Sequence, residues 1–262
     1  MASHDLFHLF GAFMAAFIAG AINSVAGGGT MISFPILIAL GLPPLIANAT
    51  NTLGIWPGAI GSIWGFRKEL SRVPKFYMWL LIPALIGGAA GALILHFTPA
   101  GMFERVVPWL ILFATLLFII QPPVRDYLAK KNPPSQSTGR SRSAVIIAVI
   151  LQLGVAIYGG YFGAGMSILM LSILGLIGLT DMLEMTAMTS LLSLAINGIA
   201  GIIFAMAGLV FWPYILVMAV GAIAGGYGAA GIARKVGKVW IRRLVISVGI
   251  LMSVAMFIRL VL

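Results

Sequence analysis

The polar groups best placed to recognise a ligand lie in two short stretches near the start of the chain, inside otherwise apolar sequence. In chain order they are Asn23, Ser24, Gly27, Gly28, Gly29 and Thr30, then Asn48, Thr50, Asn51 and Thr52. Small polar residues and irregular backbone at membrane depth cost free energy unless they line a cavity or pack against protein. We interpret the two stretches as one half of a substrate site.

A second group of polar and glycine residues occurs in the other half of the chain, and we expect it to complete the site. Its members are Tyr161, Gly163, Gly165, Thr189 and Ser190. A purely structural role is the alternative for each residue, because Ser and Thr in membrane helices usually bond to their own backbone. The run from Gly27 to Gly29 could form a plain turn, and Tyr161 could belong to the aromatic belt at a membrane surface.

The chemistry of these groups favours a small anion. Amide and hydroxyl donors, together with backbone N–H groups at helix N-termini, suit an oxyanion without any formal positive charge. No Asp or Glu stands in the middle of an apolar run, and the chain has no Cys. This pattern argues against catalytic residues, a buried cation site and a carboxylate proton relay, and we predict no metal and no cofactor.

Composition identifies the class of protein. The chain has 262 residues, of which 61% are hydrophobic and only 8% charged, whereas soluble domains carry about 25% charged residues. The length allows roughly ten spans of about 20 residues. We predict an all-α, multi-pass membrane helix bundle whose first apolar run is a permanent span.

The net charge of +10 is explained by topology rather than by nucleic-acid binding. Fourteen of the 16 Lys and Arg residues fall in the segments 67–75, 122–143 and 234–243. Cytoplasmic loops collect Lys and Arg, so we place these three segments in the cytoplasm and both termini outside. The basic residues would then contact anionic lipid.

The chain contains ten apolar runs, five before and five after one polar linker. The second and seventh runs, at 31–45 and 166–179, are too short for a comfortable span and predict tilted spans, half-helices or re-entrant segments. The linker, 122–143, opens with Pro122-Pro123, which is predicted to end the preceding helix. It divides the chain into a first membrane repeat, 1–121, and a second, 144–262.

The two halves resemble each other in sequence. Residues 26–29 align with 162–165 at an offset of 136, and residues 49–52 align with 187–190 at an offset of 138. The basic segment 67–75 has a counterpart, 208–212, without any basic residue. This exchange of charge predicts an inverted repeat. Glycines spaced four apart, among them Gly87 and Gly91 or Gly61 and Gly65, predict close helix packing.

The order of these motifs resembles the TauE/SafE sulfite exporter family. The resemblance rests on residues 23–30, Pro35, residues 47–52, the glycines before Arg67-Lys68, and residues 159–165, and it extends over essentially the whole chain. It implies a bacterial inner-membrane permease for sulfite, sulfoacetate or related organosulfonates. It also implies about eight spans in two repeated halves.

The combined interpretation is a transporter that exports small sulfur-containing anions by alternating access. A passive anion channel of the same architecture stays an alternative, as does an intramembrane lipid-handling protein or enzyme. The expected partners are the small anionic substrate and the bilayer, with no nucleic acid, and a homo-oligomer is left open. We expect the protein to be a transporter and not an enzyme.

Overall fold

The structure is a computed structural model that describes residues 2–25, 28–131, 142–179, 181–236 and 238–261. It describes side chains over 6–23, 28–120, 146–179, 181–227 and 243–259. Every regular element within these residues is a helix, which confirms the predicted all-α class. The helices are α1 (Ala2–Val25), α2 (Thr30–Ala39), α3 (Pro44–Gly65), α4 (Arg67–Arg72), a 3-10 helix (Lys75–Leu80), α5 (Leu81–Phe97), α6 (Ala100–Lys131), α7 (Arg142–Tyr161), α8 (Met166–Leu176), α9 (Met182–Met206), α10 (Trp212–Val236) and α11 (Lys238–Val261).

Two of the helices formed by the predicted apolar runs are too short to cross a bilayer. Helix α2 has 10 residues and α8 has 11, which at about 1.5 Å per residue gives lengths of about 15 and 17 Å. The hydrocarbon core is about 30 Å thick. Each short helix therefore reaches only about half-way, as the short second and seventh apolar runs predicted.

Four helical segments in the described part of the chain are long and apolar enough to cross a membrane. They are Leu6–Asn23, Lys75–Phe97, Ala100–Ile120 and Met182–Met206. Large apolar side chains on their outer faces, such as Trp109 and Ile202, are exposed, as expected for a surface that contacts lipid rather than water. The total number of full spans stays a prediction.

The two halves exchange their packing partners. Helix α1 of the first half packs on α10 of the second, and α7 of the second half packs on α5 of the first. In the same way α3 packs on α10 while α9 packs on α5. These reciprocal contacts are what a repeated fold produces. The inverted sense of the repeat and the division at 122–143 stay predictions.

Glycine lets the exchanged helices approach to backbone contact. A Cβ at Gly91 on α5 would overlap the Ile157 carbonyl on α7, and a Cβ at Gly225 on α10 would overlap the Phe17 carbonyl on α1. Close approach of this kind replaces the hydrophobic effect as the source of helix association in lipid. Gly61 and Gly65 differ, because nothing lies within 4 Å of a Cβ at either position. The prediction of close packing is wrong there.

Helices α3 and α9 cross in the middle of the molecule. Leu53 lies against Gly201 and Trp56 lies against Gly198, so the two helices run antiparallel at the crossing. The Trp56 indole Nε1 donates a hydrogen bond to the Leu194 carbonyl at 2.9 Å. The crossing joins one half of the chain directly to the other.

Helix boundaries differ from the prediction at all three basic segments. Helix α6 continues through Pro122-Pro123 to Lys131, so the prediction that these prolines end it is wrong. A proline removes one hydrogen bond of the helical ladder and crowds the carbonyl four residues earlier, but helices of membrane proteins tolerate it where neighbouring groups satisfy the freed backbone. Residues 67–72 form α4, and α10 and α11 reach to Val236 and back to Lys238. Residues 132–141 lie outside the described residues.

Candidate functional site

Both short helices begin at a glycine turn that supplies no side-chain cap. Gly29 precedes α2 and Gly165 precedes α8, and neither helix has a side chain that accepts from its first N–H groups. Each N-terminus therefore carries the positive end of a helix dipole without a capping side chain inside the helix. We name residues 23–30 the first turn and residues 161–166 the second turn.

In the first turn, a side chain satisfies the backbone donors. The Asn23 Oδ1 accepts hydrogen bonds from the backbone N–H of Gly28 at 3.0 Å and of Gly29 at 2.7 Å. Gly28 has φ +106°, which favours glycine. The predicted site residues Gly27 and, for its side chain, Ser24 lie outside the described residues. The Thr30 side chain is half-buried.

In the second turn, a side chain holds a carbonyl instead of the donors. The Tyr158 hydroxyl donates to the Ala164 carbonyl at 2.6 Å, and the Gly163 N–H donates to the Tyr158 carbonyl at 3.1 Å. No described residue accepts from the backbone N–H of Ala164 or Gly165. The second turn therefore has two donors at the start of α8 that find no acceptor among the described residues.

The two turns meet on one helix. A Cβ at Gly28 would overlap the ring of Phe118 on α6, and a Cβ at Gly165 would lie 3.4 Å from Leu117 on the same helix. The ring of Phe34, on α2, packs edge-on against Phe162 of the second turn with centroids 5.4 Å apart. The structure thus brings the glycines predicted from both halves against neighbouring residues of α6.

Helix α3 adds two buried amides beside the second turn. The Asn48 Nδ2 donates to the Tyr161 carbonyl at 2.9 Å. The Asn48 Oδ1 and both polar atoms of Asn51 are buried without a partner in the structure. Asn48 is 1% exposed and Asn51 0%, and residues three apart on a helix share a face. An unpaired buried polar group costs about 1–3 kcal/mol, so these amides are the costliest polar groups on α3 in this structure.

Three of the other predicted site residues bond within the protein. The Thr50 Oγ1 accepts from the Phe211 N–H at 2.9 Å, at the start of α10. The Thr52 hydroxyl donates to the Asn48 carbonyl, and the Ser190 hydroxyl donates to the Thr186 carbonyl, both four residues back. These bonds account for the three side chains as parts of the helix framework. Their membership of a substrate site stays a prediction.

Thr189 is buried without a hydrogen-bond partner, but the structure does not bring it together with Asn51. Asn51 stands five residues before Trp56 on α3, and Thr189 stands five residues before Leu194 on α9. Trp56 and Leu194 bond to each other where the two helices cross in antiparallel directions. Asn51 and Thr189 therefore lie on opposite sides of that crossing.

Gln152 is a buried polar residue that we did not place in the site. It is 0% exposed, and neither amide atom has a partner in the structure. It stands four residues from both Ala148 and Ala156, which belong to the hydrophobic cluster around α8, so it faces that cluster. An amide in the middle of an apolar run was the signal that would have selected it.

Among the described side chains, no charged group is hydrogen-bonded to either turn. The Asp181 carboxylate accepts from the N–H groups of Leu183 and Glu184 and caps α9. Within the described residues, no group of three or more His, Cys, Asp or Glu side chains could hold a metal ion. The groups around the two turns are backbone dipoles, amides and aromatic rings.

Comparison with known proteins gives one family and several relatives. The family model described as Sulfite exporter TauE/SafE matches residues 12–256. A Probable membrane transporter protein of Haemophilus influenzae is 28% identical over 245 residues, which is 93% of this chain and 92% of the relative. The Probable membrane transporter protein YfcA of Escherichia coli K12 is 27% identical over 92% of this chain and 86% of its own length. The Probable membrane transporter protein ORF9 of Sinorhizobium sp is 30% identical over 250 residues, which is 95% of this chain and 92% of the relative. No solved structure matches.

Proposed function

Because the chain belongs to the TauE/SafE sulfite exporter family, and is thus a multi-pass membrane transporter, we propose that it exports small sulfur-containing anions by alternating access. The proposed substrates are sulfite, sulfoacetate and related organosulfonates. The relatives' printed names specify membrane transport and no substrate.

The observation that carries the proposal is the meeting of both glycine turns on α6. Two helix N-termini start there, and the second turn keeps the N–H groups of Ala164 and Gly165 unpaired. Helix N-termini bind oxyanions through such donors and through the helix dipole. Asn51 Nδ2 adds an unpaired amide donor nearby on α3. With no formal positive charge, this arrangement holds an anion weakly enough to release it.

Burial of the amides favours a carrier over a channel. The polar atoms of Asn51 and the Asn48 Oδ1 are each covered almost completely by protein. A channel keeps its selective groups in contact with a continuous path, whereas an alternating-access carrier covers them between its two open states. A passive anion channel of the same architecture stays the second candidate, and the described residues offer no clustered catalytic groups that favour an enzyme.

The membrane potential suffices to drive export. Moving one negative charge outward through about 100 mV, inside negative, releases about 2.3 kcal/mol. The neutral character of the two turns fits a cycle in which the anion moves without a coupled ion. We therefore propose electrogenic export.

Reconstitution in liposomes tests the proposed function. We expect labelled sulfite or a sulfonate to accumulate on the positive side when only a potassium–valinomycin potential is imposed, and to exchange against unlabelled substrate in counterflow. Counterflow identifies a carrier, because an open pore has no exchange step. Single-channel currents would establish the channel instead, and transport that follows a pH gradient but ignores the potential would contradict electrogenic export.

A further inference from the structure

The unpaired amide atoms on α3 include acceptors as well as a donor. The Asn48 nitrogen must face the Tyr161 carbonyl, because a carbonyl only accepts. This bond fixes the Asn48 side chain so that its oxygen points elsewhere, and that oxygen is buried without a partner. Asn51 has an unpaired oxygen and an unpaired nitrogen whichever way its amide is turned. The pair therefore offers two acceptor oxygens and one amide donor.

A fully deprotonated oxyanion cannot satisfy this set. Sulfite and simple alkanesulfonates carry only acceptor oxygens, so they can pair with the Asn51 nitrogen and with the N–H groups of Ala164 and Gly165. The Asn48 and Asn51 oxygens would stay unpaired, or would face the anion as like partial charges. Buried polar groups left in that state oppose binding.

We propose that the preferred substrate is a small anion that also carries a hydrogen-bond donor, namely an O–H or N–H group a few bonds from its anionic oxygens. This inference rests on the proposed function. Among the related organosulfonates it selects those with an O–H or N–H group, and it ranks deprotonated sulfite and sulfoacetate, which carry no donor, as poorer substrates. The anionic end binds the donors of the second turn, and the O–H or N–H end donates to the Asn48 and Asn51 oxygens. Asn48 ties the two ends together, because its own nitrogen is bonded to Tyr161 in the second turn.

Three sulfonates of similar size separate this proposal from anion binding in general. In 2-hydroxyethanesulfonate a hydroxyl can donate, in 2-methoxyethanesulfonate the same oxygen can only accept, and ethanesulfonate lacks the oxygen. Potential-driven accumulation of each labelled compound is measured in liposomes with the full chain. We expect the hydroxyl compound to enter at least about tenfold faster than either other compound, because sites with buried polar groups reject substrates that leave them unpaired.

The variant Asn51→Leu shows whether Asn51 is the origin of that preference. The Asn51 side chain has no hydrogen-bond partner in the structure, so its replacement removes no bond that holds the fold. We expect the preference to fall below about threefold, with the methoxy and ethane compounds gaining on the hydroxyl compound. Ser253→Ala is the control. Ser253 lies on α11, is buried, and donates to the Pro108 carbonyl on α6, so this variant should keep the full preference.

Each outcome decides the proposal. Equal rates for the three compounds in the unchanged protein would overturn the donor requirement and leave anion export standing, and a water molecule that pairs with the amides would give this result. A preference that survives Asn51→Leu would overturn the assignment of that preference to Asn51. Failure to transport any of the three compounds or sulfite would overturn the proposed function together with this inference.

Discussion

The first and second turns occupy corresponding places in the two halves, but they satisfy their backbones in opposite ways. In the first turn the Asn23 side chain accepts from two backbone N–H groups. In the second turn the Tyr158 side chain donates to a carbonyl, and the N–H groups of Ala164 and Gly165 are left without partners. The side chain neutralises donors in one turn and an acceptor in the other.

The backbone conformations differ to match. Gly28 has φ +106° and Gly29 is helical, whereas Gly163 and Gly165 have φ +79° and +76° with Ala164 between them. Ala164 takes the position of Gly28 at the offset of 136 and does not have positive φ. The sequence likeness therefore conceals a structural difference, because Asn23 pairs two donors of the first turn whereas two donors of the second turn find no acceptor among the described residues.

The largest expected effect is a loss of stability on replacing a glycine of the first turn, because the space around the glycines differs between the two turns. A Cβ at Gly29 would overlap the backbone of Ala19, whereas a Cβ at Gly165 would lie 3.4 Å from Leu117. We expect Gly29→Ala to cost at least about 3 kcal/mol and to abolish a monodisperse peak in size-exclusion chromatography. Gly165→Ala should cost about 1–2 kcal/mol through its positive φ and stay folded.

Gly61→Ala is the matched control for this experiment, because a Cβ at Gly61 in α3 would meet nothing within 4 Å. It should leave stability unchanged or raise it by up to about 1 kcal/mol, through the better helix propensity of Ala. Equal losses for Gly29→Ala and Gly165→Ala would show that the two turns are packed alike and would remove this contrast between them.

An intermediate loss of stability tests whether the Asn23 side chain holds the first turn in place. Asn23→Ala leaves the N–H groups of Gly28 and Gly29 without their acceptor, and this should cost about 1–3 kcal/mol in thermal unfolding in detergent. Asn23→Asp keeps an acceptor oxygen and should recover most of the stability. If Asn23→Ala unfolds at the temperature of the unchanged protein, the first turn is not held by this side chain.

The smallest effect belongs to the second turn. Tyr158→Phe removes the hydrogen bond to the Ala164 carbonyl while it keeps the ring, which packs against Phe113 with centroids 5.5 Å apart. We expect a loss of about 0.5–1.5 kcal/mol in the same thermal assay. If Tyr158→Phe loses more stability than Asn23→Ala, the side-chain hydrogen bond of the second turn contributes more to stability than those of the first, contrary to this prediction.

Much of the fold could be predicted because hydropathy and length reflect the solvent directly. The ten apolar runs correspond to helices α1 to α3 and α5 to α11, and the two short runs correspond to α2 and α8. The error at Pro122-Pro123 has a local cause. A turn signal derived from soluble proteins overstates how often proline ends a helix, and α2 and α3 also contain Pro35 and Pro57.

The site was less predictable, because the partners of its polar groups are distant in sequence. Thr50 bonds to Phe211, 161 residues away, and Asn48 bonds to Tyr161, 113 residues away. Polarity at depth identified both residues as unusual but could not tell which one would find an internal partner. The unpaired state of Asn51 and Gln152 likewise depends on what other helices place beside them.

The hydrogen bond from Trp56 to Leu194 has a mechanical consequence. The two residues correspond to each other at the offset of 138, so the bond joins equivalent points of the two halves. When one body turns against another, points on the axis stay still and distant points sweep through an arc. In the proposed cycle this bond would lie at the pivot between the two halves and would persist. The glycine turns lie farther from the pivot and would exchange neighbours.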